Sequence, residues 1–147
     1  MKTKQRNILL ADDDKDDRYF FDKALKEIEV SANLITVNDG EALMAYLSEN
    51  SEQLPDILFL DINMPGKNGL ECLQGIQCNE KLKLLSVVMF STSNDSQEIS
   101  MLFKSGAHVY IHKPSDFSEL KQVISHALPI ADDKMVPASK VKYILNA

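Results

Sequence analysis

Five short apolar runs, separated by longer amphipathic stretches, constrain the fold of this chain more than any other feature. The runs are Ile8-Leu9-Leu10-Ala11, Leu34-Ile35-Thr36-Val37, Ile57-Leu58-Phe59-Leu60, Val87-Val88-Met89-Phe90 and Val109-Tyr110-Ile111. Unbroken apolar character over about four residues suits a strand covered on both sides. Between the runs the spacing changes. From Lys15 onward, Phe20/Phe21, Ala24/Leu25 and Ile28 recur every three to four residues, the mark of a helix with one buried face. Asp39-Gly40 makes a turn into a second helix carrying Ala42/Leu43 and Tyr46/Leu47, and the polar stretch from Ser48 to Pro55 is a loop. Pro65, Gly66 and Gly69 mark another loop before a helix with Leu70, Leu73 and Ile76. Asp95 with Glu98 resembles a capping box ahead of Ile99, Leu102 and Phe103. Phe117, Leu120, Val123/Ile124 and Ala127/Leu128 form the last helix. Strands alternating with helices give an α/β fold, a five-stranded parallel sheet doubly wound with helices on both faces. Pro129 ends the periodic region. Residues 6–128 are thus one domain and 129–147 a short C-terminal tail, in which Val141 to Leu145 suits a short docking element.

At 147 residues the chain buries a real core. Its 44% hydrophobic and 26% charged content is that of a globular domain, not a disordered or membrane chain. No apolar run approaches the roughly 20 residues that span a bilayer, and the N-terminus lacks the apolar core of a secretion signal, so a cytoplasmic location is expected. Cys72 and Cys78 lie on different faces of one helix, which suggests neither a disulfide nor a zinc site. A formal net charge of −6 without a basic stripe argues against nucleic acid as a partner.

The acidity is concentrated where it matters. In open parallel sheets, ligands bind beyond the carboxyl ends of the strands. The first strand runs into Asp12-Asp13-Asp14, the third into Asp61, the fourth into Ser91-Thr92, and the fifth is followed by Lys113-Pro114. Each group has an ordinary explanation, since acids complement helix starts and hydroxyls cap helices. Sheet topology, however, brings all four segments to one edge. Two carboxylates about 4 Å apart repel by roughly 4 kcal/mol at an effective dielectric near 20. Lys113 supplies one positive charge, so a divalent cation with hard oxygen ligands is the natural complement. Few carboxylates with open water positions favour Mg²⁺ over a Ca²⁺ cage, with Mn²⁺ as a substitute.

These residues, in this order, resemble the receiver domains of response regulators in two-component systems, the CheY-like family. The resemblance spans residues 6–128. It rests on the first strand with its acidic pair, on Asp56-Ile57-Leu58-Phe59-Leu60-Asp61-Ile62-Asn63-Met64-Pro65-Gly66 with Gly69, on Ser91, on Gly106-Ala107 and Tyr110, and on Lys113-Pro114. It implies a flavodoxin-like sheet with strand order 2-1-3-4-5. It also implies that Asp61 accepts a phosphoryl group from a phosphohistidine of a cognate sensor histidine kinase. Mg²⁺ would be bound by Asp13, Asp61 and the backbone carbonyl of Asn63, with Asp12 acting mainly through water. Lys113 and Ser91 would contact phosphoryl oxygens, and Tyr110 would report the switch by its rotamer. Pro114 would follow a cis peptide bond that turns Lys113 towards the site.

The implied output is a protein contact, to a downstream target or a phosphotransfer protein. A homodimer through the fourth helix, fifth strand and fifth helix is a further arrangement the family uses. The chain would act as a signalling switch, catalysing only its own phosphotransfer and autodephosphorylation. The loop near Ser48 and the tail resemble single-domain receivers paired with bacterial sensor kinases, including phytochrome-type ones. Ser91 and Thr92 depart from the commoner Thr and Ala. His112 is expected on the solvent side, and His108 and His126 on the surface. Three rivals fit less well. A phosphate-independent scaffold would have lost an acid or the lysine. An aspartyl phosphohydrolase would want an acid where Asn63 stands. A flavin protein would not line its phosphate site with Asp12-Asp13-Asp14.

Overall fold

A computed structural model describes residues 5–132 and 143–145. The elements run β1 (Arg6–Ala11), α1 (Lys15–Glu27), β2 (Ala32–Val37), α2 (Gly40–Glu49), β3 (Ile57–Leu60), α3 (Gly69–Gln77), a 3₁₀ turn (Leu82–Leu84), β4 (Ser86–Ser91), α4 (Ser96–Lys104), β5 (Val109–His112), α5 (Phe117–Asp132) and β6 (Tyr143–Leu145). The sheet order is β2-β1-β3-β4-β5-β6, and every pairing is parallel. The expected order 2-1-3-4-5 is present, with one strand added at its far edge.

Two cores follow from the pleat, because successive strand residues point to opposite faces. Leu9, Ala11, Leu58 and Leu60 pack with Leu43 and Leu47 of α2, Leu73 and Ile76 of α3 and Leu102 of α4. Ile8, Leu10, Ile57 and Phe59 pack on the other face with Phe21 and Leu25 of α1 and Val123 and Ile124 of α5. Full burial of such a side chain stabilises by about 1.5–3 kcal/mol, so β1 and β3 form a rigid central pair. Edge strand β2 is only partly covered, so none of its residues is fully buried and half-buried and exposed positions largely alternate along it.

Four expectations are corrected. Pro129 lies inside α5, which continues to Asp132. The proline removes a bond to the Ser125 carbonyl, and both residues are exposed, so that carbonyl is open to water. Burial of Ala127, Leu128 and Ala131 and a 2.8 Å hydrogen bond from Ser86 Oγ to the Ala131 carbonyl hold the last turn in place. Part of the tail, Tyr143–Leu145, pairs with Val109–Ile111 as a strand; Val141, in the same expected docking element, lies outside the described residues. Asp95 does cap α4, accepting from Gln97 and Glu98 N–H, but its own N–H donates to Ser93 Oγ. The reciprocal box is at α3, between Asn68 and Glu71. Finally, no peptide bond among the described residues is cis, so the expectation before Pro114 does not hold. Lys113 reaches the sheet edge another way, as its N–H donates to the Ser91 carbonyl at 2.7 Å and carries the β5 pairing one residue further.

Candidate functional site

The same one-residue extension of the ladder builds the site. Asp12 N–H donates to the Val37 carbonyl at 3.1 Å and Asp61 N–H to the Ala11 carbonyl at 3.0 Å. Asp12, Asp61 and Lys113 are therefore fixed by sheet hydrogen bonds immediately beyond β1, β3 and β5. Asp12 is fully buried and Asp61 is 5% exposed, whereas Asp13 is open to solvent. Oxygens of Asp12, Asp13 and Asp61 all lie within 4.8 Å of one another.

Lys113 Nζ lies 2.9 Å from Asp12 Oδ2, 2.9 Å from Asp17 Oδ2 and 3.5 Å from Asp61 Oδ2. The other Asp12 oxygen accepts the Asp14 N–H at 2.9 Å, and Arg18 Nη1 donates to the Asp12 carbonyl at 2.8 Å. Asp14 itself caps α1, accepting the N–H groups of Asp16 and Asp17. Asp61 Oδ1 accepts the Asn63 N–H at 3.3 Å, while the Asn63 side chain is exposed.

Burial pushes the Asp61 carboxyl up to about 6, with Lys113 opposing and the charges of Asp12 and Asp13 adding to the rise. Burial likewise raises Asp12 against the opposing pull of the Asp14 N–H and Lys113. For Lys113, burial favours the neutral amine, but its hydrogen bond to Asp17 and the charges of Asp12 and Asp61 outweigh that and hold it protonated. Buried carboxylates sharing one ammonium are short of positive charge. A cluster of hard oxygens at this spacing, reachable from solvent past Asp13, fits a divalent cation.

The loop behind Asp61 is held by close backbone approach. Gly69 N–H donates to the Ile62 carbonyl at 2.8 Å, and a Cβ on Gly69 would lie 2.3 Å from the Asp61 carbonyl oxygen. Gly40 is more than a turn residue, since a Cβ there would lie 2.0 Å from the Lys67 carbonyl oxygen on the same loop.

Ser91 is fully buried at the end of β4, and its Oγ accepts the Ser93 N–H at 3.3 Å. Tyr110 is 1% exposed and donates its hydroxyl to the Ser93 carbonyl at 2.6 Å. Both residues thus bear on the loop between β4 and α4. Thr92 is exposed, with its carbonyl 3.1 Å from His112 Nε2, so His112 braces this loop instead of facing only solvent. His108 is not an ordinary surface residue: it is half-buried, its Nδ1 is sealed from water, and burial lowers its pKa. His126 is exposed, as expected, and both cysteines are free, Cys72 buried and Cys78 exposed. Among the described residues, no helix is long and apolar enough to cross a membrane.

Asp17 and Arg18 are the parts of the site that sequence reasoning missed. Both sit in the first turn of α1, where an acid has a sufficient explanation in the helix dipole. Only the fold shows that Asp17 faces Lys113.

Comparison with known proteins agrees with this geometry. The family described as the response regulator receiver domain matches residues 8–125. The chain is 31% identical over 121 residues to response regulator Rcp1 of Synechocystis sp., covering 80% of this chain and 82% of Rcp1. Among solved structures, phosphorylated RcpA, a cyanobacterial phytochrome response regulator, superposes with a TM-score of 0.80 at 30% identity, covering 91% of this chain and 99% of RcpA. The Mn²⁺-bound form of Rcp1 superposes with a TM-score of 0.77 at 27% identity, covering 90% of this chain and 98% of that one.

Proposed function

Since this chain belongs to the response regulator receiver domains of two-component signalling, we propose that Asp61 is its phosphoacceptor, serving a Mg²⁺-dependent switch. The observation that carries the proposal is the buried Asp61 carboxylate, 3.5 Å from Lys113 and within 4.8 Å of oxygens on Asp12 and Asp13. In the reaction an Asp61 oxygen forms a bond to phosphorus as the N–P bond of a kinase phosphohistidine breaks. The departing imidazole keeps the electron pair and takes up a proton. Asp13 and Asp61, the Asn63 backbone carbonyl and, through water, Asp12 would hold the metal. Mn²⁺ would serve in place of Mg²⁺, as the Mn²⁺-bound form of Rcp1 suggests. The bound cation supplies charge neutralisation for the phosphoryl oxygens during transfer.

Lys113 stays protonated and pairs with a phosphoryl oxygen. Ser91 Oγ donates its O–H to another and, still accepting the Ser93 N–H, would draw that loop with it. Phosphorylation adds about −1.5 to −2 charge and three acceptor oxygens, enough to bias a loop held by single hydrogen bonds. Movement of Ser91 and Ser93 would then alter the partner of Tyr110 and pass the change to α4 and β5. Hydrolysis of the acyl phosphate by the chain itself would reset the switch.

The kinase would approach Asp61 beside the exposed Tyr19 and Phe20, where a cavity of about 330 Å³ lined by Phe20, Phe90, Lys113 and Phe117 opens. The output partner would be a target protein or a phosphotransfer protein. A homodimer at the α4, β5 and α5 face would use side chains of the helices, such as the exposed Met101, because β6 occupies the backbone edge of β5. The similarity to RcpA, a cyanobacterial phytochrome response regulator, supports a phytochrome-type kinase as the donor. Acetyl phosphate with Mg²⁺ tests the chemistry by intact-protein mass: wild type should gain one phosphoryl group and Asp61→Asn none. An unmodified wild type, or a modified Asp61→Asn, defeats the proposal.

A further inference from the structure

The chemistry above assigns no task to Asp17, yet Asp17 holds the same ammonium that the phosphoryl group needs. Lys113 has three N–H donors. Two of its contacts, to Asp12 and Asp17, are at 2.9 Å, while Asp61 stands off at 3.5 Å. The ammonium therefore leans towards α1 and away from the acceptor. Asp17 is held there by its helix turn, since its N–H and that of Asp16 both donate to Asp14 Oδ1, at 3.1 and 2.8 Å. Its side chain is 37% exposed, so the ion pair is open enough to break without stranding a buried charge. Among the described residues, the oxygen cluster suited to a metal comprises Asp12, Asp13 and Asp61, and Asp17 is not a member. Whatever Asp17 does, it does through Lys113.

We propose that Asp17 is a positioning residue that draws Lys113 off the phosphoacceptor at rest and competes with the phosphoryl group for it. This rests on Asp61 being the phosphoacceptor. The competition is one of charge as well as geometry, because two anions then claim a single cation. Substituting Asn for Asp17 keeps an oxygen able to accept from Lys113 but removes the charge. A charge-assisted hydrogen bond is roughly twice as strong as a neutral one, so the variant should release Lys113 to the phosphoryl group more readily.

The test is calorimetric titration with beryllofluoride, a phosphoryl mimic, at saturating Mg²⁺, on wild type, Asp17→Asn and Asp16→Asn. Asp16 lies on the same turn and is exposed, so its variant removes an equal charge next door. Mg²⁺ affinity is measured separately without beryllofluoride and also reports that each variant keeps its site. Asp17→Asn should bind beryllofluoride roughly five- to tenfold more tightly, the size of change that follows from weakening one charged hydrogen bond. Its Mg²⁺ affinity should stay within about twofold of wild type, and Asp16→Asn should match wild type on both counts. An equal gain in Asp16→Asn would reduce the effect to net charge and overturn the proposal. So would unchanged or weaker beryllofluoride binding by Asp17→Asn, which would make Asp17 an anchor for Lys113. Failure of wild type to bind beryllofluoride at all would instead refute the assignment of Asp61, and this proposal with it.

Discussion

Replacing Asp61 with Asn should make the metal-free protein more stable at neutral pH, because the wild-type carboxylate is ionised in a site that resists its charge. In the folded protein the Asp61 carboxyl is raised to about 6 by burial, against Lys113 and with Asp12 adding to the rise. In the unfolded chain it titrates near 3.9. A group whose pKa is raised by folding contributes stability that is present below its unfolded pKa and is lost as pH rises through its folded pKa. Two pKa units correspond to about 3 kcal/mol, an upper bound because Asn also forgoes the attraction to Lys113. With an unfolding entropy of about 2.1 cal/mol/K per residue, the melting temperature moves about 3 °C per kcal/mol, so a rise of roughly 6–9 °C is expected. Calorimetric melts of wild type and Asp61→Asn with a chelator at pH 7.5 measure it. At pH 4.5 the gap should fall to about a third of that size. Equal melting temperatures at pH 7.5, or a gap that widens on acidification, would refute the electrostatic reasoning.

Other consequences are as direct. Saturating Mg²⁺ at about 100 times its Kd should stabilise wild type by about 2.7 kcal/mol in thermal melts, and Asp13→Ala should lose most of that gain. Gly69→Ala should destabilise the protein by about 2 kcal/mol or more and weaken Mg²⁺ binding, since the new methyl would displace the Asp61 carbonyl; denaturant melts and metal titration would report both. Tyr110→Phe should cost about 0.5–1.5 kcal/mol in urea unfolding, through loss of the hydrogen bond to the Ser93 carbonyl. The same variant should keep acetyl phosphate labelling of Asp61, because Tyr110 touches the loop and not the acid cluster.

Much of this was legible in the sequence because the strongest local signals and the global fold agree. Continuous apolar runs mark β1, β3 and β5, and parallel pairing then delivers the residues that follow them to one edge. That alone brings Asp12, Asp61 and Lys113 together. What escaped notice depends on side-chain direction or on long-range pairing. Asp17 looks like a routine helix-start acid until the sheet brings Lys113 beside the first turn of α1. Pro129 reads as a stop, yet its missing hydrogen bond falls on the solvent side of α5 and costs little there. Tyr143–Leu145 is too short to declare itself a strand without the exposed edge of β5 to pair with. His108 stands between the buried Ala107 and Val109, and its own polarity hides that the start of β5 draws it in and seals its Nδ1. The expected cis bond at Pro114 came from resemblance alone, and extension of the β5 pairing achieves the same placement of Lys113.

A crystal structure with Mn²⁺ and beryllofluoride would measure the convergence of acids, cation and amine at atomic level. Anomalous scattering should place one Mn²⁺ among the oxygens of Asp12, Asp13 and Asp61, with beryllium bonded to Asp61 and a fluorine within hydrogen-bond reach of Lys113. Mn²⁺ located elsewhere, or beryllofluoride absent from Asp61 while Lys113 remains on Asp12 and Asp17, would contradict the account.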